Sequence, residues 1–322
     1  MVTFNLNTIS EYRNSLMGVA TICILLTHAP AYGVILPFHL NALLSAAQIG
    51  VMIFFFVSGV GLYYSLNAKE YNNKDIIKWY KKRFTRLFLP YLIIYIPFCA
   101  LNCHIHNENI FMFLFDISTL SFWFGRPTCW FVNMLVPLYI ISPLWLRLLK
   151  RTKYPIIPTI LIVSFCLLQN GYWIQASLFF IGFWLGKYIK NGVCLKFKHL
   201  VLILLCVLIS LILYYTFGIG YLLWYLSTPF IILSCMFLKK IKNQIIHKIF
   251  LFFGKISLES YLFNITIYTW ISFYNLLPNY LFQYRYIFVI IFGTLFAYFV
   301  NNLCDILIKN QKSSLLNIKK NI

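Results

Sequence analysis

Acidic residues are scarce in this chain. Seven Asp and Glu stand among 322 residues, and all charged residues together make up only 11%. A soluble domain carries about 25% charged residues, so a water-soluble globule is excluded. Cysteine occurs nine times but never as a CxxC pair. Cys99 and Cys103 lack a matching His or Cys pair, so no metal site is expected. Internal repeats, low-complexity tracts and a soluble appendage are also missing. What is plentiful is apolar: 61% of residues are hydrophobic and 20% aromatic, enough for roughly ten membrane spans of ~20 residues each. The net charge of +20 leaves open a polyanionic partner, and only the placement of the charges can decide.

Ten apolar runs lie near 15–36, 46–66, 87–101, 128–147, 154–170, 172–189, 199–217, 221–238, 256–275 and 284–308. They predict an all-α fold, a polytopic membrane bundle of about ten helices forming one domain over 1–322. A polar stretch precedes the first run and no small-residue cleavage site follows, so it reads as a retained span. With this count, all but two of the 27 Lys and Arg residues fall on one side, the exceptions being Arg126 and Arg285. Basic residues flanking short loops stay cytoplasmic, so both termini are expected inside. The charge then encodes orientation, and no nucleic-acid partner is expected. Residues 102–127 face outward and hold a short apolar piece, FMFLF, beside Asp116, Trp123 and Arg126. That pattern predicts an interfacial or re-entrant helix. Cys99, Cys103 and Cys129 lie near the same face, either as a disulfide pair or as buried free thiols.

Ionisable groups inside a span cost several kcal/mol, so each is a candidate for function. His28 lies ~18 Å along the first helix from Leu16. Imidazole titrates near neutral pH, which suits a general base, while the alternative is a neutral His bonded between helices. Glu259 enters the ninth span with Asn264 deeper in it, and Lys255 one turn earlier is an available ion partner. Arginine is used only seven times, yet Arg83 and Arg86 share one helical face at a membrane boundary. Two guanidinium groups there fit phosphate binding or, alternatively, positive-inside anchoring. In the second span, Gly50, Ser58, Gly59 and Gly61 permit close helix packing, and Ser58 can also line a polar cavity. Trp130 opens the fourth span as an interfacial aromatic, followed by Asn133 and Tyr139.

His28, FFFVSG at 54–59, RFTRLFLPY at 83–91, WFVNMLVPLYIISP at 130–143 and ISLESYLFN at 256–264 follow one another over ten spans. In that order they resemble the membrane acyltransferase-3 family over nearly the whole chain. The resemblance implies transfer of an acyl group, usually acetyl from cytoplasmic acetyl-CoA, to a sugar hydroxyl of an envelope molecule. It carries the family's first-span histidine to His28, its paired arginines to Arg83 and Arg86, its fourth-span aromatic to Trp130, and its small-residue pair to Ser58 and Gly59. The chain departs from the family at Met17, where a basic residue is usual, and at Asn264, which replaces a histidine. Arg13, one turn before Met17 on the same face, is a partial substitute but lies ~22 Å along the helix from His28.

These readings assign catalysis to His28 and Glu259, and acetyl-CoA binding to Arg83, Arg86, Arg13 and Ser58, with no metal. Trp130, Trp123, Arg126, Asp116 and Asn264 are the candidates for touching the acceptor, a glycan or lipid-linked sugar. Membrane lipids are the other expected partners, the oligomeric state stays open, and a bacterial inner membrane is the expected location. A transporter or flippase of a lipid-linked or acylated saccharide is the alternative, although such proteins tend to show repeats. A catalytically silent assembly partner is a third reading.

Overall fold

A computed structural model of the chain describes residues 3–32, 47–68, 73–126, 129–169, 171–217, 227–273 and 284–320, with the single positions 34, 37 and 44. Positions 33, 35, 36, 46, 128, 170, 221–226 and 274–275 of the expected spans lie outside the described residues. The helices are α1 (Asn7–Glu11), α2 (Arg13–His28), α3 (Ile49–Asn67), α4 (Asn73–Ile105), α5 (Ile110–Ile117), α6 (Trp130–Arg151) and α7 (Ile156–Leu168). They continue with α8 (Tyr172–Lys190), α9 (Phe197–Phe217), α10 (Ser227–Lys240), α11 (Gln244–Lys255), α12 (Ser257–Phe273) and α13 (Arg285–Lys320). The protein is all-helical apart from one small ladder. Among the described residues, four helices are long and apolar enough to cross a membrane: Ile49–Asn67, Asp75–Ile105, Trp130–Arg151 and Arg285–Asn310. Leu202, Leu205, Ile209 and Ile212 on α9, and Ile291, Leu295, Phe296 and Phe299 on α13, are exposed. Rows of exposed large apolar groups are costly in water and favourable against lipid tails.

The helix ends correct the expected boundaries in three places. The run at 87–101 marks only the apolar middle of α4, which starts in the polar stretch before it and continues past two internal prolines, Pro90 and Pro97. Proline removes one backbone donor, and a helix held by its neighbours tolerates that loss. The first span stops as an α-helix at His28, followed by a 3₁₀ turn at Ala29–Tyr32. Pro30 supplies the reason: Ala29 is still helical, its N–H donating to the Leu26 carbonyl, but proline has no N–H with which to continue the α-helical ladder. Between the eighth and ninth runs lies α11, a helix of 12 residues, too short to span.

The chain forms two compact units, one of residues 1–30, 35–80 and 134–255, the other of residues 31–34, 81–133 and 256–322. In the first unit α3 packs along α8 in its most extensive helix contact. A Cβ at Gly59 would strike the Phe179 carbonyl, one at Gly182 the Phe56 carbonyl, and one at Gly186 would lie 2.7 Å from the Tyr63 ring. Helix α11 lies against α2 in the same manner, with Gly18 on the Phe250 carbonyl and Gly254 on the Asn14 carbonyl. There Thr21 Oγ1 donates to the Phe253 carbonyl at 3.3 Å.

Two strands, β1 (Thr3–Asn5) and β2 (Cys194–Lys196), pair antiparallel in this unit with Phe4 opposite Leu195. The turn into β2 closes α8 with Gly192 at φ 64°, Gly192 N–H donating to the Ile189 carbonyl and Val193 N–H to the Tyr188 carbonyl. This paired closure needs the left-handed region that glycine adopts freely. A backbone ladder cannot cross a bilayer, so the N-terminal segment and the connection after α8 share one membrane side.

In the second unit α12 packs on α13 through Phe263 and Phe296, their rings 5.6 Å apart. In α4, Tyr91 stacks on Tyr95 at 4.8 Å. The short helix expected within residues 102–127 is present as α5, where the Asn109 side chain caps the Met112 N–H at 3.1 Å. Its Ile110, Phe111 and Leu114 are exposed, the pattern of an element lying at an interface.

Gly59→Ala and Gly182→Ala should each lower thermal stability in detergent by about 1–3 kcal/mol, because neither backbone can retreat from the added methyl. Gly293→Ala is the comparison: its nearest neighbour, Ile267 Cδ1, would be at an ordinary 3.7 Å. Equal melting temperatures for all three variants would show that the α3–α8 contact is loose.

Candidate functional site

The expected site residues fall into three groups. In the first unit, Arg13 opens α2 and His28 closes it. The Arg13 guanidinium lies against Gly61 of α3, with Nη2 3.1 Å from where a Cβ would stand. Ser58 and Gly61, three residues apart, share a helical face, so Arg13 comes to the side of α3 that carries half-buried Ser58. His28 stays at the other end of α2, half-buried. Its Nδ1 is buried and makes no hydrogen bond of standard geometry among the described residues, although the Ile24 carbonyl one turn earlier is close enough to interact.

The second group sits where α4, α12 and α13 of the second unit carry polar residues. Glu259 is 5% exposed, and its Oε1 accepts from Asn301 Nδ2 at 3.3 Å. Arg86 and Asp305 both lie within electrostatic reach of it. Asn264, one and a half turns deeper, is fully buried. Arg83 belongs to the same unit and, at half-buried exposure, is less open than Arg86. Asn301 has no place among the expected site residues; a pair of amides, Asn301 and Asn302, within the last apolar run is the signal that marks it. Beyond this polar end, α4, α12 and α13 surround an apolar cavity of about 600 Å³ lined by Ile93, Ile94, Phe263, Ile267, Phe292 and Phe296 among others.

The third group ties down the segment that carries α5. Arg126 Nε donates to Asp116 Oδ1 at 2.8 Å and its Nη2 to Asp116 Oδ2 at 3.0 Å. The same Nη2 donates to both Glu108 carboxylate oxygens at 2.8 Å. Gly125, at φ 83°, reverses the chain after the 3₁₀ turn Ser121–Phe124 and returns Arg126 toward Asp116, its N–H donating to the Ser121 carbonyl at 3.1 Å. Asp116 is 3% exposed, and a carboxylate so buried is stable only when paired.

The hydrogen bond from Arg126 is the main cause that holds the Glu108 carboxyl below the usual carboxylate range. A lowered value means that this contact is fully present above that range and is lost as pH falls through the lowered value. Asp116 and Arg126 thus bind each other, Glu108 joins them without any motif to announce it, and Trp123 remains exposed beside them.

Tyr91 reaches the same segment, donating to the Ile117 carbonyl at 3.3 Å, and Tyr95 accepts the Cys129 N–H at 3.2 Å. Cys99, Cys103 and Cys129 are buried free thiols. Trp130 is half-buried with its ring edge-on to Phe131 at 6.1 Å, and Phe131 in turn meets Tyr261 at 5.1 Å. Among the described residues no cluster of His, Cys, Asp and Glu suits a metal ion.

Apolar helices exposed along their length, with charges gathered into paired clusters or at helix ends, define an integral membrane protein. The family model described as an acyltransferase domain matches residues 14–302, and the chain belongs to the membrane acyltransferase-3 family. Its class is therefore that of transferases acting on acyl groups. No curated protein and no solved structure matches it.

Arg126→Met should destabilise the protein by about 3–5 kcal/mol, because it strands buried Asp116 without a cation. Adding Asp116→Asn should restore part of that loss, as coupled neighbours do. Thermal unfolding of the single and double variants measures the coupling, and strictly additive losses would dissolve the pair.

Proposed function

We propose that the protein is an O-acyltransferase of the bacterial inner membrane that moves an acyl group, acetyl as the simplest donor, from cytoplasmic acyl-CoA to a hydroxyl of a glycan or lipid-linked sugar. The reading is carried by the family match across residues 14–302, within which His28 closes α2. In this scheme the chain crosses the membrane ten times with both termini inside. The sharing of one membrane side by the N-terminal segment and the connection after α8 supports the even number of crossings between them.

Arg83 and Arg86 bind the phosphates of the donor, since guanidinium groups offer paired donors to phosphate oxygens. Glu259, fixed by Asn301, lies within electrostatic reach of Arg86 and favours its charge there. The cavity of about 600 Å³ beside these residues has room for the less polar end of the donor. His28 acts as general base: its imidazole takes the proton from the acceptor hydroxyl as that oxygen attacks the thioester carbonyl, and the CoA thiolate leaves. A buried Nδ1 that makes no hydrogen bond of standard geometry among the described residues supports a ring with a nitrogen available to a reaction partner. Arg13 and Ser58 of the first unit are further candidates for contact with the donor, and Asn264, Trp130 and Trp123 stand as contacts for the acceptor. Asp116 and Arg126 serve the acceptor by shaping the segment that carries Trp123.

General-base help contributes about 10²–10⁴-fold. Folded His28→Gln should therefore lose transfer by that factor while its melting temperature stays near wild type, measured as thiol release from acetyl-CoA with an envelope glycan acceptor. Near wild-type turnover in this variant would exclude His28 as the base. Arg83→Ala with Arg86→Ala should raise the donor KM with a smaller change in kcat, and an unchanged KM would remove both from the donor site.

A further inference from the structure

The first unit contains a second constellation of basic residues that none of these assignments uses. Helices α6 and α8 and the turn into α7 surround a cleft of about 690 Å³. Lys150, Lys153 and Lys187 line it together with Tyr154, Trp184 and Tyr188, and no Asp or Glu is among its lining residues. Among the described residues none of the three lysines makes an ion pair. Lys153 Nζ instead rests over the Tyr154 ring at 5.4 Å, and Trp184 meets Tyr188 edge-on at 5.1 Å. Here three exposed lysines from two helices and a turn line one open cleft, and like charges sharing a cleft without an acid among them repel one another. The acid-poor composition leaves this repulsion in place, and an anion entering the cleft would remove it.

We propose that this cleft is a binding site for a phosphate-bearing ligand, its phosphates held by Lys150, Lys153 and Lys187 and its flat or apolar part laid on Trp184, Tyr188 and Tyr154. Two sources present this chemistry. One is the nucleotide end of a soluble cofactor, whose purine stacks on aromatic rings. The other is an anionic phospholipid, whose head group fits a basic pocket between membrane helices. The inference rests on the cleft alone and stands whether or not His28 and the arginine pair act as proposed.

The test uses the full-length protein in detergent, with adenosine 3′,5′-bisphosphate as the soluble probe and phosphatidylglycerol against phosphatidylcholine as the lipid probes. Calorimetry follows the nucleotide and native mass spectrometry the lipids. Replacing all three lysines by Gln should weaken binding of the responding probe by roughly 100-fold at low salt, each lysine contributing about a factor of five. Salt should weaken the wild type toward the variant. A control with Lys239, Lys240 and Lys242, all exposed, changed to Gln should bind as wild type does. A nucleotide response that is also reduced by Trp184→Leu identifies the soluble source, and selective retention of phosphatidylglycerol identifies the lipid. Unchanged binding of both probes in the Lys150/Lys153/Lys187 variant overturns the proposal, and so does equal loss in the control, which would make the effect one of general charge.

Discussion

Helix α3 can lie against α8 only because Gly59 and Gly182 present no side chain to the opposing carbonyls, and the arrangement of the first unit follows from that approach. In lipid there is no hydrophobic gain in bringing two apolar helices together, so close packing of surfaces has to supply the attraction. The glycines bring the backbones near, and Phe56, Phe179 and Phe183, all buried, fill the space on either side. The same device recurs between α2 and α11 through Gly18 and Gly254. Gly61 uses its missing side chain differently, making room for the Arg13 guanidinium on a helix that is otherwise almost wholly apolar.

In a chain so poor in acids, three of the described ones lie near a cation: Asp116 and Glu108 converge on Arg126, and Glu259 joins Asn301 within reach of Arg86. Pairing of this kind lets charge be buried at tolerable cost, and it also fixes geometry, since a bidentate contact tolerates little rotation. The lysines around the α6–α8 cleft have no such acid opposite them. The contrast separates charges that build the structure from charges left available to a ligand.

Much of the helix order is legible in the apolar runs, because a membrane helix must satisfy its backbone internally and show apolar side chains to lipid. The ends are less legible. The apolar run begins only well inside α4, since the N-terminal half of that helix carries Lys78, Lys81, Lys82, Arg83 and Arg86, and the first run overshoots α2, which Pro30 ends soon after His28. Helix α11 looked like a basic connection because Lys248 and His247 interrupt its apolar residues, and only contact with α2 reveals its role. Of the candidate residues, Asp116 and Arg126 were visible on one short segment as acceptor contacts, and their pairing with each other came only from the structure. Asn301 and Glu108 were not visible, since their partners lie 42 and 18 residues away.

Composition by itself determined that this protein lives in a membrane, that it is helical, and that it carries few ionisable groups worth suspecting, among them His28, Glu259 and the Arg83–Arg86 pair. These properties follow from sums and short-range spacing, which survive without knowledge of the fold. Which carboxylate meets which guanidinium, which glycine faces a carbonyl and which lysines share one cleft were decided only by tertiary structure. Each of those depends on two distant segments meeting at ångström separation, and a local pattern carries no record of the partner.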